Sequence, residues 1–173
     1  AAATDADVVF VCVGNDDDVA QVVLGEEGAL AGLSPGSLLI DHTTASQALA
    51  QKLGTACTAQ SVGFLDAPVS GGQAGAENGA LTVMTGGAME DYKRAGPYFD
   101  CYAKKHALMG EIGAGQLTKM VNQICIAGVL QGLSEGVHFA QQAGLDVDAV
   151  IDVISQGAAQ SWQMNNRANT MAR

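Results

Sequence analysis

Lys119 sits in GAGQLTKMVNQ, residues 113–123, with Asn122 and Gln123 three and four positions after it and Gln116 one turn before. On a helix these spacings bring side chains into one neighbourhood. A lysine among neutral amides beside an apolar stripe has two readings. Desolvation lowers its proton affinity and makes it a general acid/base, or its stem lies along apolar surface while the ammonium reaches water. Ser70, Gly71 and Gly72 offer a hydroxyl and backbone amides without side chains, suited to cradling a small carboxylate; a flexible hairpin loop is the plainer reading. Thr43 and Thr44 follow at the carboxyl end of the apolar run SLLID. That places Thr44 either among the ligand contacts that gather at strand ends or at the cap of the next helix.

Other chemistry is poorly supported. Asp16, Asp17 and Asp18 are consecutive, which suits a helix start behind Asn15 better than a metal site, because alternating ligands converge on an ion and consecutive ones do not. Cys12, Cys57, Cys101 and Cys125 are widely spaced. They form no CxxC pair and have no histidine at ligand spacing, so reduced, buried thiols and no metal site are expected. His42, His106 and His138 lie apart from any serine or cysteine nucleophile. With 18 acidic against 8 basic residues the formal charge is −10, which disfavours nucleic acid as a partner. No apolar span reaches membrane length and no secretory leader pattern opens the chain, so a cytoplasmic protein without a membrane partner is expected.

The elements that must position these residues alternate. Val8 to Val13 reads as a strand buried on both faces of a parallel sheet, ended by Gly14 and Asn15. A helix through Leu24, a loop or short turn over 25–34, a strand over Ser37–Asp41, a helix over Ala45–Gln60 and a strand from Val62 to Pro68 follow. Residues 66–87 are the most glycine-dense stretch, ending in a strand over Leu81–Thr85. A helix over Met89–Phe99 and a short strand over Ala107–Met109 lead to one long helix from Gly113 to Gly144. Two further helices span 146–155 and 161–172, with Trp162 expected to pack. The fold class is α/β, a partial Rossmann-type doubly wound sheet followed by a long helix and an all-α region. The division falls between 1–112, the later portion of a dinucleotide-binding domain, and 113–173, the interdomain helix with the start of a helical substrate and dimerisation domain. Within the long helix, Leu117, Met120, Val121, Ile124, Leu130, Leu133 and Val137 form an apolar stripe. Gly128, Gly132 and Gly136 predict tight packing against another segment, since each glycine costs about 1 kcal/mol in a helix interior.

DAPVSGGQAGA (66–76) and GAGQLTKMVNQ (113–123), preceded by IDHTT (40–44), resemble the motifs of the β-hydroxyacid dehydrogenase family. Members include 3-hydroxyisobutyrate dehydrogenase, tartronate semialdehyde reductase and, more distantly, 6-phosphogluconate dehydrogenase. The resemblance implies NAD or NADP as cofactor and a small carboxylate-bearing substrate, a 3-hydroxy acid or its semialdehyde. It assigns Lys119 to the catalytic lysine and Ser70, Gly71 and Gly72 to the substrate-carboxylate loop. Asn122 and Gln123 match amides that place substrate, the second being asparagine in many members. Thr44 matches a residue beside the nicotinamide, and Val13, Gly14 and Asn15 match the strand end that borders the cofactor.

The same comparison implies departures at both ends. The family's opening strand with its GxGxxG turn would lie ahead of Ala1, and closing helices beyond Arg173. As it stands the chain is therefore expected to be a fragment with no stable dinucleotide binding and little activity. Two alternatives remain open: a phosphorylated sugar-acid dehydrogenase, against which the lack of a basic cluster argues, and a non-catalytic oligomerisation module. A partial sheet leaves an edge that water or a partner must cover, so a homo-oligomer is expected.

Overall fold

The computed structural model describes residues 2–173. It divides into two compact units, the first ending at Met120 and the second running Val121–Arg173.

The first unit is a six-stranded mixed sheet with helices on both faces. β1 (Val8–Val11), β2 (Leu38–Asp41) and β3 (Gly63–Asp66) pair in parallel, with Val11, Asp41 and Asp66 in one register row. Their carboxyl ends therefore open on the same edge. α1 (Asp16–Leu24), the short α2 (Ala29–Gly32) and α3 (Gln47–Ala59) connect them. Asn15 caps α1 by accepting from Asp18 N–H at 3.0 Å, and the three aspartates of its first turn meet the positive helix end. The capping reading of this stretch holds. Val19, Val23, Leu39, Leu49, Leu53 and Phe64 build the core on one face of the sheet, whereas Leu38, Ile40, Leu65, Val83, Ala95 and Phe99 build it on the other.

Several boundaries differ from the expectations. β1 stops at Val11 and is not buried on both faces: Phe10 is 43% exposed, because β1 pairs with β2 alone among the described strands. Residues 25–34 contain α2 where a loop or turn was expected. The glycine-dense stretch is no flexible hairpin. It folds as β4 (Val69–Ser70), the short helix α4 (Gly72–Glu77) and β5 (Leu81–Gly87), with β3 and β4 both antiparallel to β5. α5 (Met89–Phe99) returns to β6, which runs Ala103–Gly110 parallel to β5. Only its end was legible, since the exposed Lys104 and Lys105 and the half-buried His106 hide the strand's apolar pattern.

α6 (Ala114–Gln142) begins in the first unit and continues into the second. There it joins α7 (Val147–Ile154) and α8 (Trp162–Met171) around Leu133, Val137, Met164 and Ala168. The apolar stripe is buried only in this later part; Leu117, Val121 and Ile124 are exposed. The glycine strip is open too, with no atom within 4 Å of a Cβ built at Gly128, Gly132 or Gly136. These glycines line an apolar groove of about 440 Å³ with Val147, Ile151 and Ile154. Trp162 is 59% exposed, and its ring carries the Arg167 guanidinium at 5.7 Å. No helix of the described residues is long and apolar enough to cross a membrane.

Candidate active site

The carboxyl ends of β1, β2 and β3 are tied together by buried polar groups. Asp66, fully buried at the end of β3, accepts from Gly113 N–H at 2.7 Å and Gln116 N–H at 2.9 Å. These are amides that the first turn of a helix leaves without intrahelical partners, so the carboxylate both caps α6 and fixes where it starts. Burial raises the Asp66 pKa, and the amide bonds oppose that rise. Asp41 lies beside it in register, accepts from Thr43 N–H at 2.9 Å, and is likewise raised chiefly by burial.

Helix α6 meets the sheet at very short range. A Cβ at Gly115 would collide with Met84 O and stand 2.5 Å from Asp66 O. Gly113, at φ +96°, turns the chain into the helix. Gly113 and Gly115 together are thus a docking device for α6.

Gln116 is fully buried. Its Oε1 accepts from Ala45 N–H at 3.0 Å, and its Nε2 donates to Thr43 O at 2.7 Å. Thr44 lies between those two residues and is exposed. Thr43 Oγ1 in turn accepts from Val13 N–H at 3.0 Å, so the exits of β1 and β2 are joined.

Lys119, one turn beyond Gln116, is buried to 8% exposure. Its Nζ donates to Val69 O at 2.8 Å, and among the described residues it makes no ion pair. Desolvation lowers its pKa below the ordinary 10.5. The carbonyl that holds it belongs to the residue before Ser70, where β4 gives way to Gly71 at φ +136° and Gly72 at φ +61°. An L side chain is strained at such angles, and a Cβ on Gly71 would also meet Leu81 Cδ2 at 3.0 Å. Gly72 opens on free space.

The structure therefore gathers Val13, Thr44, Ser70 to Gly72 and Lys119 along one edge of the first unit. Asn15 spends its side-chain oxygen on the α1 cap. Asn122 and Gln123 fall in the second unit, where Asn122 Nδ2 donates to Gln123 Oε1 at 2.9 Å. Asp41, Thr43 and Asp66 were missed by the sequence reading. Their only sequence signal was polarity at the ends of apolar strands.

Residues 1–113 match the family model described as the NAD binding domain of 6-phosphogluconate dehydrogenase, and residues 113–173 match the one described as NAD-binding of NADP-dependent 3-hydroxyisobutyrate dehydrogenase. The chain belongs to the β-hydroxyacid dehydrogenase family. It is 60% identical over 170 residues to an uncharacterized oxidoreductase of Shewanella frigidimarina, covering 98% of this chain and 58% of that protein. Among solved structures, 3-hydroxyisobutyrate dehydrogenase from Salmonella typhimurium superimposes with a TM-score of 0.86 at 33% identity, covering 97% of this chain and 59% of the other. A Mycobacterium tuberculosis 3-hydroxyisobutyrate dehydrogenase with L-serine gives 0.85 at 30% identity, with coverage of 96% and 56%. The chain thus spans somewhat under three-fifths of the length of these β-hydroxyacid dehydrogenase relatives.

The residues present fit one half of a dinucleotide. Exposed Val13 and Thr44 at adjacent strand ends suit the flat nicotinamide end. The strand-to-helix turn at Gly14 and Asn15 leads into Asp16, Asp17 and Asp18, a first turn suited to a capped helix and not to a phosphate.

Proposed function

We propose that this chain carries the proton-transfer centre of an NAD(P)-dependent oxidoreductase that interconverts a small 3-hydroxy acid and its semialdehyde. The observation that carries the reading is Lys119: a buried lysine that makes no ion pair among the described residues, held by Val69 O beside the Ser70 turn. A lysine costs free energy to bury, and where it is depressed below its ordinary pKa it exchanges protons nearer neutral pH.

Bound at the strand ends, the nicotinamide supplies or accepts a hydride. Oxidation of the carbinol requires its O–H bond to break as the C–H pair departs, and neutral Lys119 takes that proton while the oxygen electrons form the carbonyl. Reduction runs in reverse, with the ammonium donating to the carbonyl oxygen. Val69 O aims Nζ, and Ser70, Gly71 and Gly72 receive the substrate carboxylate through the hydroxyl and backbone amides. Thr44 and Val13 border the nicotinamide, with Gly14 and Asn15 at the same strand end. Asn122 and Gln123 match amides that place substrate in family members, and the extra methylene of Gln123 over asparagine is expected to alter which 3-hydroxy acid is preferred. The L-serine in the Mycobacterium tuberculosis relative's structure is itself a 3-hydroxy acid and supports this class.

In the full-length protein, Lys119→Ala lowers kcat by roughly 10²–10⁴-fold while NAD(P)H titration by fluorescence changes little. Retained turnover in the alanine variant overturns the reading.

A further inference from the structure

We propose that Gln116 is a positioning residue that sets the distance between the nicotinamide side of the site and the proton-transfer lysine; this rests on the roles of Thr44 and Lys119 proposed above. The segment 42–46 leaves β2 without regular secondary structure, so its backbone groups need partners from elsewhere. Gln116 supplies both: its amide grips the peptide group on each side of Thr44, at Thr43 O and Ala45 N–H. Its own N–H is held by Asp66, so neither end of the staple is loose. Three residues later, about one turn further along α6, stands Lys119. One buried side chain therefore connects the backbone that presents Thr44 to the helix that presents Nζ.

An apolar side chain of the same shape would fill the space and leave both backbone groups unpaired. Packing alone therefore does not account for an amide here. Thr44 would then shift relative to Lys119, and a misplacement on the order of 1 Å between reacting groups costs up to about 100-fold in rate.

The test compares Gln116→Met and Gln116→Glu in the full-length protein. Gln116→Met is expected to lower kcat about 10- to 100-fold. Hydride transfer should become more rate-limiting, so the isotope effect with nicotinamide deuterated at the transferring position rises, a change that a smaller fraction of folded protein does not produce. Gln116→Glu is expected to regain turnover as pH falls, because a protonated carboxyl again donates to Thr43 O and accepts from Ala45 N–H, whereas the methionine variant shows no such recovery. A folded Gln116→Met with unchanged kcat and isotope effect overturns the proposal, as does failure of both variants to fold, which would make Gln116 a stability residue. Lys119→Ala assayed in parallel separates the two claims. If it is inactive while Gln116→Met is normal, only the positioning role falls; if it is active, the proton-transfer reading falls with it.

Discussion

Lys119 is unusual as a residue before it is unusual as part of a site. An ammonium taken out of water and bonded, among the described residues, to a backbone carbonyl alone is destabilising in its charged form, and desolvation lowers its pKa accordingly. The linkage has a definite sign. Between the folded pKa and 10.5 the unfolded chain binds more protons than the folded one, so stability contributed by this position rises with pH in that window. Below the folded pKa the full cost of burying the charge persists. Lys119→Met removes the titration. Thermal melts of the wild type and this variant should therefore differ most in the variant's favour at neutral pH, with the wild type gaining on it as pH climbs toward 10.5. A pH-independent difference would show that Lys119 is not desolvated. The sequence placed this residue beside an apolar stripe and left open whether its ammonium reaches water. It offered no sign of Val69 O, because the partner lies 50 positions away.

At the scale of elements, glycines that look alike in sequence do opposite things. Gly115 lets α6 approach β3 and β5. A Cβ there meets fixed backbone, so Gly115→Ala should destabilise the first unit by about 1–3 kcal/mol. Gly132 faces open space, and Gly132→Ala should raise stability by up to about 1 kcal/mol. Denaturant titration of both variants checks the contrast, and equal effects would contradict the packing described. Periodicity and apolar runs made the long helix and the strands β2, β3 and β5 legible in advance. β4 and α4 were hidden among glycines, β6 behind charged residues, and the open groove beside Gly132 behind a spacing that equally suits tight packing. The difference depends on what lies across from the helix, which spacing along a chain does not record.

At the scale of the molecule, the arrangement is a sheet edge at which consecutive strand ends converge on the start of one helix. Asp66 and Gln116 tie the strands to α6, and α6 carries the lysine. The residues of the candidate site that were legible in sequence, Thr44, the Ser70 turn and Lys119, are those that face outward or break a pattern. The buried polar groups that hold them in place were not legible, since Asp41 and Asp66 look like ordinary strand ends until both are seen to lie side by side. The account's central claim is that Lys119 exchanges the proton, and the pH dependence of kcat in the two directions tests it most directly in the full-length protein. Oxidation should rise and reduction should fall through one ionisation below 10.5, and the limb should move upward in Lys119→Arg because guanidinium holds its proton more tightly. Profiles that share the same limb in both directions, or that do not move in the arginine variant, would contradict the mechanism.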